Sequence, residues 1–336
     1  MTVALVPLTR QLVDIESITD NEAAVGHFLA NYLATVGYQV ERMPVPHPAQ
    51  RERFNIYAAD AGDPPDIVFS THIDTVPPFF PSGEDDEYIY GRGACDAKGI
   101  AVAQIAAALR LREMGVRAGL LFLAGEERGS HGAKIANLQP KGSRFLINGE
   151  PTDNRLALAS KGALNLVART RGKMAHSAYP ELGDSAIHKL VRALERMLAV
   201  PLPVDPQAGP STLNIGMIEG GHAPNVIADT ASAAVMVRLV GPSEPVMTAL
   251  QQAAGPDVTL ETIVEIPYLK LREVAGLPTM VAAFTTDVPA LTNWGEPLLL
   301  GPGSIHVAHT PGERLSKQEQ RDAVELYVKV ARGLLQ

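Results

Sequence analysis

The stretch IVFSTHID, residues 67–74, decides how this chain folds. The short apolar run Ile67–Ser70, followed at once by His72 and Asp74, reads as a strand buried on both faces, the kind found in parallel sheets covered by helices. Two further runs share the form: LLFLAGEERG at 120–129 and FLINGEPT at 145–152, each apolar and then abruptly acidic. Between the first two lies a helical stretch, 98–114, which stops before Gly115. Strands alternating with helices specify an α/β fold with a mostly parallel sheet. In such sheets ligands bind beyond the carboxyl ends of the strands, so the His and acidic residues after each run would meet there.

Outward from this centre, residues 19–36 read as the first helix. Thr19 and Glu22 match a capping box, and Val25, Phe28, Leu29, Tyr32, Leu33 and Val36 recur at helical spacing before Gly37. The character changes between about 161 and 265. The pattern there gives strand 163–170, helix 183–198, strands 213–219 and 230–239, helix 244–253 and strand 257–264. That β-α-β-β-α-β order is the order of a ferredoxin-like α+β module, with the Pro-rich stretch 201–210 as a surface loop inside it. After about 266 the chain returns to its first domain and ends in a helix, where Ser316 and Glu319 match a second capping box. The expected domains are therefore 1–160 with 266–336, and an inserted module, 161–265.

With 336 residues, 46% of them apolar and 20% charged, the chain can bury a full core. No apolar run approaches the roughly 18 residues that span a bilayer, and MTVALVPLTR lacks the form of a secretory signal. The expectation is a cytoplasmic protein without a membrane partner. A formal charge of −8 argues against nucleic acid as partner. Cys95 is the single cysteine, so a bound metal would take His and carboxylate ligands. The phosphate-binding, dinucleotide, serine-elbow and HExxH motifs are absent, which leaves nucleotide binding and serine hydrolysis without support.

Each acidic turn carries two readings. His72 and Asp74 are either a capped strand end or an imidazole ligand whose second N–H is held by a carboxylate. Asp96, in GRGACDAKG (91–99), is either an N-cap or a ligand, and Cys95 beside it reads as a small buried filler. Glu126 and Glu127 are either a solvated turn or a pair divided between metal and proton, because adjacent carboxylates repel without a cation or a shared proton. Glu150 adds a carboxylate at another strand end.

Taken together, THIDTVP, GRGACDAKG, GEERG, NGEPT, GKMAHSAYP and GPGSIHVAHTPGE stand in the order found in one family. Over essentially its whole length the chain resembles the M20 metallopeptidases, especially their acetylornithine deacetylase and succinyl-diaminopimelate desuccinylase branch. The resemblance implies a zinc-peptidase-like catalytic domain with an inserted lid and dimerisation domain, and two divalent metal ions, zinc first, with cobalt or manganese also accommodated. It implies that His72 and Glu150 hold one ion, Glu127 and His309 the other, and that Asp96 bridges them, with His306 as the fallback for His309. Glu126 would be the catalytic carboxylate and Asp74 the residue that orients His72. His176 would reach the partner subunit's site and stabilise the oxyanion, which implies a homodimer, while Asn225 and Arg238 would contact substrate. The implied reaction is hydrolysis of an N-acyl amino acid, N-acetylornithine or a related N-acyl diamino acid of arginine or lysine biosynthesis. A desuccinylase, a dipeptide carboxypeptidase and a non-catalytic binding protein are the alternatives. Ala97 and the pair Ile227-Ala228 depart from the family pattern, and the chain is short for the branch, which bears on specificity.

Overall fold

The three apolar runs become neighbouring strands of one sheet. In the computed structural model, which describes residues 3–336, six strands lie in the order Gln39–Pro44, Phe54–Ala59, Ala118–Leu123, Ile67–His72, Phe145–Asn148 and Glu296–Leu299. The last four run parallel. The first two join antiparallel at one edge, so the sheet is mixed around a parallel centre. His72 stands opposite Leu123 and Ser70 opposite Asn148, which brings the turns that follow these strands to one end of the sheet.

Side chains alternate along the buried strands. Phe69, Phe122 and Ile147 join one core with the helices Ala23–Thr35, Lys98–Glu113 and Lys317–Leu334, whereas Val68, Leu121 and Leu146 join a second with Ala133, Ala136 and Trp294. Both faces are thus covered, as continuous apolar strands require. The Lys98–Glu113 helix is Ala-rich and buried nearly all round, which lets it pack between the sheet and the C-terminal helix.

The amino-terminal reading needs correction. A helix at Leu5–Val13 comes first, and the next begins at Ala23 with no side-chain cap at Glu22. Both expected capping groups are engaged elsewhere. The Thr19 hydroxyl donates to Asp74 Oδ2 at 2.9 Å, and the Glu22 carboxylate accepts from Arg53 Nε at 2.8 Å and Nη2 at 2.7 Å. At the other end the expectation fares better, since Ser316 accepts from the Glu319 N–H at 3.3 Å at the start of Lys317–Leu334.

Residues through Leu158, with Leu271–Met280 and Thr286–Gln336, form one compact unit; Ala159–Lys270 with Val281–Thr285 form another. The second unit holds a four-stranded antiparallel sheet in the order Thr212–Gly220, Thr230–Leu239, Gly162–Arg171 and Val258–Ile266. Leu164, Leu166, Val235 and Val237 point to a single face, where they meet Leu190 and Leu194 of the helix Ala186–Leu198 and Leu250 of Ser243–Ala254. The strand and helix order is the ferredoxin-like one read from the pattern. The Pro-rich loop folds into a small hairpin, Val204–Asp205 against Gly209–Pro210, in which the Asp205 carboxylate accepts the N–H groups of Gln207 and Ala208. Among the described residues no helix is long and apolar enough to cross a membrane.

Candidate metal centre

His72 is the last residue of its strand and is buried. Its Nδ1 lies 3.0 Å from the Asp74 backbone carbonyl, and its Nε2 lies 2.8 Å from Asp96 Oδ1. A carbonyl only accepts, so Nδ1 carries a proton and Nε2 is turned to the carboxylate. The sequence reading gave the orienting role to the Asp74 carboxylate, but its Oδ1 is 3.6 Å away and otherwise engaged. Asp74 Oδ1 accepts the N–H groups of Gly125 and Glu126, each at 3.0 Å, while Oδ2 accepts from the Glu127 N–H at 3.3 Å and from Thr19. Asp74 thus orients the ring with its main chain and the Glu126–Glu127 turn with its side chain. Burial would raise the Asp74 carboxyl, yet the neighbouring His72 imidazole and the bonds from the Thr19 hydroxyl and the Glu126 N–H hold it below the ordinary value.

Asp96 is not an N-cap. The cap position of the following helix is Ala97, without a side-chain cap, and the Asp96–Ala97 peptide is cis. The Asp96 carboxylate spans two imidazoles: Oδ1 meets His72, and Oδ2 lies 3.2 Å from His309 Nε2. The same His309 nitrogen is 2.9 Å from Glu127 Oε1. His309 keeps about half its side chain exposed, and Asp96 and Glu127 push its imidazole up to about 10. His72 is opposed by burial, but Asp74 and Asp96 overcome that and hold it well above its usual range. His306 is exposed and shows no polar partner among the described residues.

Ligand atoms of His72, Asp96 and Glu127 all lie within 4.8 Å of one another. Glu150 is buried at the next strand end, and its Oε1 has no hydrogen-bond partner. Part of Glu126 still meets solvent, yet so many protein atoms surround it that desolvation pushes its carboxyl well above the carboxylate range; burial does the same to Glu150. Buried carboxylates this close raise one another's pKa values unless positive charge joins them. Two imidazoles and several carboxylate oxygens brought this close are a donor set for borderline divalent ions, so these residues fit the implied metals.

The structure adds residues that the sequence reading missed. Asp287 is 1% exposed, and burial pushes its carboxyl up to about 7. The nearby Ser130 hydroxyl favours its charged form, but neither Asp287 oxygen has a partner in hydrogen-bonding geometry. Its charge acts on both Glu126 and Glu150. In sequence it is an acid before Val-Pro, a common cap pattern, and it does precede the short 3-10 turn Val288–Ala290. Cys95 is buried, its Sγ is 3.6 Å from the Ser304 carbonyl, and burial pushes the thiol well above its usual value, which suits the filler reading.

His176, Asn225 and Arg238 lie in the second unit. His176 pairs with Val226 in a two-residue ladder, its Nδ1 accepts the Ala178 N–H at 3.1 Å, and the Asn225 carbonyl accepts from the Ser177 N–H at 2.9 Å. These two are neighbours beside a cleft of about 560 Å³ lined by Ser177, Ser185, His188 and residues 220–224 and 226–228. Arg238 is not with them. It stands opposite Thr212, eight positions along its strand from Thr230, a run of about 27 Å at strand rise.

Comparison with known proteins follows the same division. A family model described as a peptidase dimerisation domain matches residues 158–255. A peptidase M20 domain-containing protein of Schizosaccharomyces pombe is 36% identical over 335 residues, covering 97% of this chain and 84% of that relative. A probable carboxypeptidase of Aspergillus flavus is 38% identical over 372 residues, covering 97% and 86%. Among solved structures, aminopeptidase PepT from Bacillus cereus is similar in fold, with a TM-score of 0.83 over 99% of this chain and 98% of that one at 21% identity.

Proposed function

The chain belongs to the M20 peptidase family, and from that premise we propose that it hydrolyses an amide whose amine half is an amino acid with a free carboxylate. The class of reaction, metal-dependent hydrolysis, comes with the family. The observation that carries the mechanism is the split between Glu126 and Glu127. The second is committed to His309 at 2.9 Å, while among the described residues no ion pair or hydrogen bond engages the side chain of the first. One carboxylate holds metal and the other handles a proton.

His72 and Glu150 would hold one ion, Glu127 and His309 the other, with Asp96 between them. Bound divalent ions in such a site acidify water and polarise the scissile carbonyl. Glu126 then accepts a proton at a carboxylate oxygen and delivers it to the leaving amine nitrogen. Asp74 holds the turn that carries Glu126 through the Gly125 and Glu126 N–H groups. Three ligand carboxylates against two dications leave net positive charge, which suits an anionic transition state. His176 supplies a further donor, in a homodimer formed through the inserted unit.

The acetylornithine deacetylase branch is one member of this substrate class. Relatives at 36–38% identity that are named as peptidases or carboxypeptidases support a short peptide ahead of N-acetylornithine. Amine release by the metal-reconstituted protein from N-acetyl amino acids, N-succinyl amino acids and dipeptides, with Glu126→Gln as the blank, tests the reading. Metal-dependent release from the dipeptides is expected; release from N-acetylornithine alone would move the protein to the deacetylase branch.

A further inference from the structure

The turn that carries Asp96 has no regular secondary structure of its own. Of the six backbone N–H groups from Gly91 to Asp96, four end on one residue. Glu313 Oε1 accepts from Gly93 at 2.9 Å, Asp96 at 3.1 Å and Cys95 at 3.3 Å, and the Glu313 carbonyl accepts from Gly91 at 3.2 Å. Its other carboxylate oxygen pairs with the buried Arg92 guanidinium, which also donates to the Pro78 carbonyl. Glu313 and Arg92 are both about 2% exposed.

Glu313 lies four residues after His309 and is tied back to that segment by its own N–H, which donates to the Thr310 carbonyl at 3.3 Å. The two segments it joins carry the groups that meet at 3.2 Å, Asp96 Oδ2 and His309 Nε2. The Asp74 carboxylate stands in the same relation to the Glu126–Glu127 turn. Successive backbone N–H groups that converge on one point form a cradle for an anion, and here the anion is supplied by the chain itself. We infer that Glu313, with Arg92, is a positioning residue that fixes Asp96 against His309. The inference rests on the metal-centre reading above.

Groups that orient metal ligands typically cost about 10–100-fold in metal affinity when removed. Two variants separate reach from charge. Glu313→Gln keeps an oxygen at the cradle and loses the charge facing Arg92; Glu313→Asp keeps the charge and draws the oxygen back. Cobalt(II) affinity by chelator competition, the visible spectrum of the bound cobalt and the melting curve of the metal-free protein are measured for each. Leu315→Ala, a buried apolar neighbour in the chain with no side-chain polar contact, serves as the control for general loosening. The expected result is a fall in cobalt affinity of about 10–100-fold with an altered spectrum in either Glu313 variant that still unfolds cooperatively, and wild-type values in Leu315→Ala. Wild-type affinity and spectrum in a folded Glu313 variant would overturn the inference, as would an equal loss in Leu315→Ala. If Glu313→Gln does not fold, Glu313→Asp decides on the same terms. A wild-type protein that binds no cobalt would instead overturn the metal-centre reading itself.

Discussion

The turns that carry the metal-side residues and the loops that carry His176 and Asn225 differ in what holds their side chains. In the first unit, His72, Asp74 and Asp96 are buried and each is fixed by at least two partners. In the second, the His176 ring accepts one N–H, and Arg238 has no polar partner among the described residues. The buried groups crowd negative charge that a cation or bound protons must relieve. The exposed His176 is inexpensive for the fold to carry, since surface side chains contribute little to stability. Geometry is fixed in advance where charge must be held, and is left open at His176 and Arg238.

The sharpest way to break this contrast uses the adjacent carboxylates. Glu126→Gln is expected to keep its metal and lose turnover by about 10²–10⁴-fold, whereas Glu127→Gln is expected to lose metal affinity. Metal content per chain measured beside the rate checks both, and equal values in the two variants would refute the division of roles.

Asp287 tests whether buried negative charge is a liability without metal. Its folded value of about 7 lies above the ordinary 3.8. Between those values the folded protein binds more protons than the unfolded chain, so this group lowers stability as pH rises from 3.8 towards 7. Asp287→Asn should therefore stabilise the metal-free protein at pH 8 by up to about 4 kcal/mol and make little difference near pH 4. Denaturant midpoints at the two pH values measure it, and a pH-independent effect would count against the account.

For the second unit, His176→Ala should cut kcat by about 10²-fold, the usual loss of one oxyanion donor, with metal content and melting temperature unchanged. A fall in melting temperature would make the residue structural. The smallest expected effect is at Thr19. Thr19→Val removes the buried hydrogen bond to Asp74 Oδ2 and should cost about 1 kcal/mol of stability in urea unfolding.

The strands were legible because a buried parallel strand is an unbroken apolar run, and the acids that follow Leu123 and Asn148 interrupt that run sharply. The inserted unit was legible through alternation, with Leu164, Leu166 and Ala168 on the covered face and Arg169 and Arg171 outside. The edge strand Gln39–Pro44 was not, because Glu41 and Arg42 break its apolar pattern. Partners far apart in sequence were equally hidden. Thr19 reaches Asp74 across 55 residues and Glu313 reaches Asp96 across 217, so local pattern reads the first as a cap and the second as the tail of a motif. Asp287 stayed hidden because a cap before Val-Pro explains it well enough without any site.

The most direct test of the whole account is amine release from a dipeptide by chelator-stripped protein as divalent metal is returned in steps. The account predicts no release from the stripped protein and a rise that levels off at two ions per chain. Full activity in the stripped protein, or two ions bound with no hydrolysis of dipeptide, N-acetyl or N-succinyl substrates, would contradict it.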